Sequence, residues 1–215
     1  MDLADRPASY DVTDSTLAFA SGRVVDVRTD HVRLPDGSTA VRDVVVHPGA
    51  VGVIALDEQD RVLLLQQYRH PVQRLLWEPP AGLLDEVGED PLRAAQRELY
   101  EEAHYRADRW DVLIDVYTSP GMTDEAIRVY LAREVAPADG PQHERVAEER
   151  DMPVQWVPLA AAVDAVLSGR LHNPIGTMGI LAAARARQSG FRDLRPADAP
   201  WPEMSAWPGS AAAHA

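Results

Sequence analysis

Residues 82–105 read GLLDEVGEDPLRAAQRELYEEAHY and predict a helix that begins near Asp90. The helical part has no interior glycine, its one proline comes directly after Asp90, and its alanines and long unbranched side chains favour helix. Leu92, Ala95 and Leu99 recur at helical spacing and make an apolar stripe. We therefore expect this helix to dock on the body of the protein.

Three glutamates share one face of this helix. Glu98 and Glu102 stand four residues apart with Glu101 between them, so their carboxylates project in one direction. Like charges at this spacing destabilise a bare helix by roughly 0.2–0.5 kcal/mol per pair. A divalent cation would offset the repulsion, because hard ions such as Mg²⁺ take carboxylate oxygens and keep positions for water and substrate phosphates. The pattern predicts a Mg²⁺ site, with Mn²⁺ as the alternative ion, in which Glu98 and Glu102 are the first ligands and Glu101 is the third.

A solvated acidic face is the alternative explanation for these glutamates. Arg97, next to Glu98, favours the metal site, because a guanidinium can hold a carboxylate bidentately near packed protein. For Glu101 alone, a plain surface position stays open.

The same stretch resembles the Nudix box, the signature of the Nudix hydrolases. That pattern is Gly, five residues, Glu, seven residues, then Arg-Glu-apolar-x-Glu-Glu-x-Gly-apolar. Here Gly82 starts it, Glu89 is the second anchor, and residues 97–102 are the intact core. Six residues separate Gly82 from Glu89, and His104 replaces the glycine that would end the helix in a left-handed conformation, at a cost of about 1 kcal/mol. Neither departure touches a proposed ligand.

Features outside the box resemble the ADP-ribose pyrophosphatases within that family, and the likeness covers roughly residues 42–184. The segment WEPPAG enters the box at residues 77–82, and Gln67-Tyr68-Arg69 matches a segment whose arginine contacts substrate. Ser119-Pro120-Gly121 lies where these enzymes keep a proline that marks ADP-ribose specificity. The resemblance adds the carbonyl of Ala81 to the metal ligands, and it implies a set of substrate-binding residues: Arg69, Arg42, Glu78, Leu83, Ser119, Pro120, Gly121 and Glu125.

The catalytic residues implied by the resemblance are Glu98 and Glu102 together with a general base. The base would be a glutamate on the long loop before the last strand, where it deprotonates the attacking water. We favour Glu149, then Glu148, with Glu144 as the third candidate. The alternative is that these glutamates only solvate the loop.

The resemblance implies a Mg²⁺-dependent homodimer that hydrolyses ADP-ribose to AMP and ribose 5-phosphate. Its N-terminal sheets would be exchanged between subunits and would bring Arg42 to the partner's site, while His47 is interpreted as a satisfied structural histidine. One alternative is a Nudix hydrolase of another nucleoside diphosphate sugar. A second is a Nudix-fold ligand sensor without hydrolytic activity, which the intact glutamates disfavour, as does the short, Lys- and Arg-poor sequence after Gln188.

Composition bounds the partners. The 215 residues carry a formal net charge of −13, which argues against binding to nucleic acid or to an anionic membrane. No cysteine occurs, so disulfides, thiolate metal sites and cysteine nucleophiles are excluded. The N-terminus lacks a basic segment followed by an apolar run, and we expect a cytoplasmic protein.

The chain pattern predicts an α/β fold, the Nudix α/β/α sandwich with a mixed sheet, plus a small N-terminal antiparallel β-sheet. We expect an N-terminal β region at 1–48 for dimerisation and substrate cover, a Nudix hydrolase domain at 49–189, and a Pro- and Ala-rich tail at 190–215 with little regular structure. Residues between Arg69 and Trp77 are interpreted as a loop. Helices are expected from Pro158 to Gly169 and from Asn173 to about Gln188.

Overall fold

The structure is a computed structural model that describes residues 5–6, 8–19, 24–86, 88–140 and 152–205. Its Cα positions divide into two compact units. The first comprises Met1–Gly49, Tyr117–Ala126 and Trp201–Ala215, and the second comprises Ala50–Val116 and Ile127–Pro200.

The first unit is built on an antiparallel sheet of strands β1 (Val12–Phe19), β2 (Asp26–Arg33) and β3 (Thr39–Val46), in that order. Between β2 and β3 the chain turns at the predicted Pro-Asp-Gly segment, where Gly37 has φ 85° and the Leu34 N–H donates to the Ser38 carbonyl at 2.8 Å. This is the small N-terminal antiparallel sheet that the sequence predicts. It also bonds to the loop after residue 117, through a parallel bridge between Val45 and Thr123.

The second unit contains two sheets. Strand β4 pairs in parallel with β9 and antiparallel with β7, so the larger sheet is mixed, as expected. Its order is β11-β8-β9-β4-β7, and the smaller sheet has the order β10-β5-β6. The strands are β4 (Ala50–Ala55), β5 (Arg61–Arg69), β6 (Arg74–Glu78), β7 (Ala81–Leu83), β8 (Tyr105–Tyr117), β9 (Ala126–Pro137), β10 (Val154–Pro158) and β11 (Arg195–Pro196).

Three helices of the second unit complete the sandwich: α1 (Pro91–Ala103), α2 (Leu159–Leu167) and α3 (Pro174–Gln188). Helix α3 begins where the sequence places its cap, because Oδ1 of Asn173 accepts the Gly176 N–H at 2.8 Å. Alternate residues of β4 face opposite sides of the sheet, and Ile54 packs in a core with Val129 and Ile180. None of the helices in the described residues is long and apolar enough to cross a membrane.

The prediction of a loop between Arg69 and Trp77 is wrong. A single 3-10 turn at His70–Val72 is followed by β6, which forms a hairpin with β5. Gln73 closes the turn in the left-handed conformation with φ 52°. Glutamine has no special preference for this conformation, so the sequence does not predict it.

The tail after residue 190 is more regular than expected. Strand β11 pairs with β8, and the guanidinium of Arg128, only 2% exposed, donates to the carbonyls of Ala199 at 2.6 Å and Pro200 at 3.0 Å. A short helix α4 (Pro202–Ser205) follows. A proline-rich segment is ordered here because a buried cation satisfies its carbonyls, and nothing in its own composition indicates that partner.

Helix α3 approaches β4 closely at Gly179. A Cβ at this position would lie 2.7 Å and 2.8 Å from Cγ1 and Cδ1 of Ile54, which is fully buried. At Gly176 on the same helix, the nearest atom would be Cδ of Pro79 at an ordinary 3.4 Å.

We predict that Gly179→Ala unfolds at a free energy about 1–3 kcal/mol below that of Gly176→Ala, because only the first substitution overpacks the core. Both variants replace a glycine of the same helix by alanine, so Gly176→Ala controls for the loss of glycine flexibility. Urea denaturation measures both. Equal stabilities would mean that the helix can move away from the sheet without cost.

Candidate active site

Helix α1 has the boundaries that the sequence predicts. Oδ1 of Asp90 accepts the N–H groups of Leu92 at 2.9 Å and Arg93 at 3.3 Å, and Pro91 occupies the first turn. At the other end, His104 takes the left-handed conformation with φ 59° and donates its N–H to the carbonyls of Leu99 and Tyr100. A histidine therefore serves as the left-handed cap that the resemblance assigns to glycine.

Arg97 connects three glutamates. Its Nε and Nη2 donate to the two carboxylate oxygens of Glu89 at 3.1 Å and 2.9 Å. Its Nη1 donates to Oε1 of Glu98 at 2.7 Å and to Oε2 of Glu101 at 3.2 Å. This guanidinium holds the second anchor of the motif and two of the expected metal ligands in one network.

Strand β7 binds Glu102 through a backbone N–H and leaves space for the side chain of Glu98. Oε2 of Glu102, a residue only 8% exposed, accepts the backbone N–H of Ala81 at 2.9 Å. Beside it, a Cβ on Gly82 would lie 1.9 Å from Oε1 of Glu98. The strand therefore passes so close to the helix that only glycine fits, and this contact brings Ala81, Glu98 and Glu102 together.

This donor set fits a hard divalent cation. One guanidinium binds three carboxylates beside Glu102 at the junction of β7 and α1, and every candidate ligand atom is an oxygen. Within the described residues, no three acidic or imidazole groups already converge on one point at ligand distances. A cation would therefore compete with Arg97 for Glu98 and Glu101, and the assignment of Ala81, Glu98, Glu101 and Glu102 as ligands stays a prediction.

Two of the expected substrate residues are paired with each other. Arg69 donates Nε to both carboxylate oxygens of Glu78, at 3.0 Å and 3.1 Å, and Nη2 to Oε2 at 2.6 Å. Glu78 is 1% exposed, whereas the side chain of Arg69 is 43% exposed. Glu78 is thus placed to orient the arginine, and it is the arginine that reaches the surface. Leu83 is half-buried on β7.

Other expected substrate residues lie in the first unit. Arg42, Pro120 and Gly121 line one cavity of about 480 Å³. The carbonyl of Ser119 accepts the N–H groups of Met122 and Thr123 and so closes the turn of this loop.

Glu125 ends the same loop and is held by other side chains. Its carboxylate accepts the hydroxyl of Thr118 and lies 3.5 Å from Nε2 of His47. His47 is the satisfied histidine that the sequence predicts, because its Nδ1 accepts the Gly49 N–H at 3.1 Å.

The model of the NUDIX domain matches residues 46–174 of the chain. The chain belongs to the NUDIX family. It is similar to the ADP-ribose pyrophosphatase of Mycobacterium tuberculosis (strain ATCC 25618 / H37Rv), with 42% identity over 189 residues that cover 88% of this chain and 90% of the relative. The ADP-ribose pyrophosphatase of Bacillus subtilis (strain 168) is 37% identical over 153 residues, which cover 71% of this chain and 81% of the relative.

A solved structure described as an ADP compounds hydrolase has the same fold. Its TM-score is 0.73 at 18% sequence identity, and the match covers 88% of this chain and all of that one. The Nudix α/β/α sandwich expected from the sequence is thereby confirmed.

The long spacing in this Nudix box is absorbed before the helix. Gly88 has φ 80°, and the Glu89 N–H bonds back to the carbonyl of Glu86 at 3.1 Å. This turn returns Glu89 to Arg97 despite the extra residue. Hydrogen bonds to Arg97 hold the pKa of the Glu89 carboxyl below its usual range, although burial opposes this shift, so Glu89 keeps its charge.

The candidates for the general base, Glu144, Glu148 and Glu149, lie outside the described residues, and the choice among them stays a prediction. Thr118 is a further residue of this region, and its hydroxyl bonds to Glu125 seven residues later. No motif distinguishes this threonine, because only the loop geometry brings it to the carboxylate.

We predict that Gly82→Ala weakens Mn²⁺ binding by about 10–100-fold, since the added Cβ displaces Glu98 from its place beside β7. Electron paramagnetic resonance of free Mn²⁺ measures the affinity. Gly176→Ala is the control, because its Cβ meets only ordinary contacts. Wild-type affinity in a folded Gly82→Ala protein would mean that Glu98 is not a ligand.

Proposed function

We propose that this Nudix hydrolase cleaves the pyrophosphate bond of ADP-ribose and releases AMP and ribose 5-phosphate. The observation that carries the proposal is the cluster of glutamates gathered by Arg97 and by the Ala81 amide at the Nudix box. The kinship with two ADP-ribose pyrophosphatases over most of the chain supports the choice of substrate.

The reaction adds water across a phosphoanhydride. One P–O bond forms from water, the bridging P–O bond breaks, and the water proton passes to a base. A divalent cation bound at the cluster would polarise phosphoryl oxygens and lower the pKa of its bound water. Glu98, Glu101 and Glu102 would hold that cation, with Mg²⁺ as the expected ion. Of these, Glu102 is already fixed by the Ala81 N–H.

Several expected substrate residues carry groups suited to a nucleoside diphosphate sugar. Arg69 carries its charge to the surface while Glu78 fixes its orientation, and a guanidinium suits a diphosphate bidentately. The cavity lined by Arg42, Pro120 and Gly121 has a volume within the range of small-molecule sites. Glu125 offers carboxylate oxygens to hydroxyl groups.

A homodimer with exchanged N-terminal sheets forms part of the proposal. All eight residues of β1 are exposed, and Leu17 and Phe19 are each more than half exposed. An exposed strand with apolar side chains invites a partner surface. The 1–48 region would then cover the substrate in the second subunit.

Hydrolysis of ADP-ribose in ¹⁸O-labelled water, with and without Mg²⁺, tests the function. We expect AMP and ribose 5-phosphate, one labelled phosphate, and loss of turnover when EDTA replaces Mg²⁺. A panel of GDP-, UDP- and CDP-sugars is run beside it. A clear preference for a sugar nucleotide without adenine would overturn the ADP-ribose assignment, and no hydrolysis of any member would favour a ligand sensor.

Glu102→Gln should reduce turnover by several orders of magnitude with folding intact. The amide oxygen can still accept the Ala81 N–H, so the variant loses the charge but keeps the local hydrogen bond. Glu58→Gln, in the turn between β4 and β5, is the matched control. Near-normal activity of Glu102→Gln would refute its role as a ligand.

Glu149→Gln and Glu148→Gln should differ sharply in kcat, with Glu149→Gln the more damaging, since one base serves the attacking water. Glu144→Gln is compared with both. Measuring kcat as a function of pH identifies the base by the loss of its acidic limb. Equal, mild effects would place the base elsewhere.

A further inference from the structure

His47 is held on two sides by hydrogen bonds within the first unit, and its third polar atom lies beside a carboxylate. The Gly49 N–H donates to Nδ1 at 3.1 Å, and the backbone N–H of His47 itself donates to Oδ1 of Asp124 at 2.8 Å. Because Nδ1 is an acceptor, the proton of the neutral ring is on Nε2. Nε2 lies 3.5 Å from Oε1 of Glu125, so this tautomer directs a donor at the carboxylate.

The second oxygen of Glu125 has its own donor. The hydroxyl of Thr118 bonds to Oε2, and the backbone N–H of Thr118 donates to the Glu125 carbonyl at 3.4 Å. The Glu125 N–H in turn donates to the hydroxyl of Thr123 at 3.1 Å. Oε2 of Glu125 therefore has a hydrogen-bond donor and Oε1 lies beside the His47 ring, while 23% of the side chain stays exposed.

Backbone hydrogen bonds from the end of β3 anchor the loop that lines the cavity. Val45 donates its N–H to the Met122 carbonyl at 2.8 Å and accepts the Asp124 N–H at 3.3 Å. The end of β3 thus fixes the C-terminal half of the loop whose Pro120 and Gly121 line the cavity with Arg42. His47 directly follows β3, and its side chain lies beside the Glu125 carboxylate.

We propose that His47 and Thr118 are positioning residues that hold the Glu125 carboxylate in place to accept a hydroxyl group of the bound nucleoside diphosphate sugar. The inference rests on the proposed function, in which Glu125 contacts the substrate. Each oxygen of Glu125 faces one protein group, the Thr118 hydroxyl or the His47 ring, and keeps a lone pair for a sugar hydroxyl. Burial lowers the pKa of His47, against the opposing charges of Glu125 and Asp124, which keeps the ring neutral near pH 7.

A double-mutant cycle on ADP-ribose hydrolysis tests this role. His47→Ala, Thr118→Val and Glu125→Gln should each raise KM about tenfold with kcat within about twofold. The combination of His47→Ala with Glu125→Gln should be no worse than Glu125→Gln alone, because His47 acts through that carboxylate. Thr118→Ser should restore the wild-type KM, and Thr177→Val on α3 is the control for the threonine substitution.

Additive effects in the double variant, or an unchanged KM in any of the three single variants, would overturn the inference. If His47→Ala does not fold, Thr118→Val and Thr118→Ser complete the same cycle with Glu125→Gln. Calorimetric binding of ADP-ribose in EDTA repeats the cycle without turnover. Coupling in binding without hydrolysis would tell against the proposed function alone, whereas hydrolysis without coupling would tell against the positioning role alone.

Discussion

Arg97 donates hydrogen bonds to Glu89, Glu98 and Glu101 over distances between 2.7 and 3.2 Å. The arrangement of these carboxylates at helix α1 depends on this guanidinium. Carboxylates crowded on one helix face repel each other and would turn outward into water if nothing held them. A fixed, delocalised cation keeps them directed toward the junction with β7. Glu102, held by the Ala81 N–H, adds a further carboxylate at that junction.

The backbone around this network is shaped to bring the strand close to the helix. Gly82 is the position at which any side chain would occupy the space of the Glu98 carboxylate, and the Ala81 amide turns toward Glu102. At a second close approach, Gly179 of α3 packs against Ile54 of β4. Glycine is thus used for contact between elements at both places, a role distinct from its use in turns.

Much of the site was predictable because it is local. The spacing of Glu98, Glu101 and Glu102 follows from helical geometry, and the caps of α1 and α3 follow from the hydrogen-bonding capacity of Asp90 and Asn173. Strands β4, β8 and β9 of the mixed sheet follow from their apolar runs, whereas the short edge strands β7 and β11 do not. The pairing of Arg69 with Glu78 was not predictable, because it depends on a hairpin whose turn residue, Gln73, has no special preference for the left-handed conformation.

The sequence by itself determined the helix, the glutamates that it carries and the family, since each depends on residues near one another in the chain. Only the tertiary structure decided which distant groups complete them: Ala81 for Glu102, His47 for Glu125, and Arg128 for the carbonyls of Ala199 and Pro200. These contacts join segments far apart in sequence, and a hydrogen bond between such segments exists only after the chain has closed the loop between them. A local sequence pattern therefore does not predict these contacts.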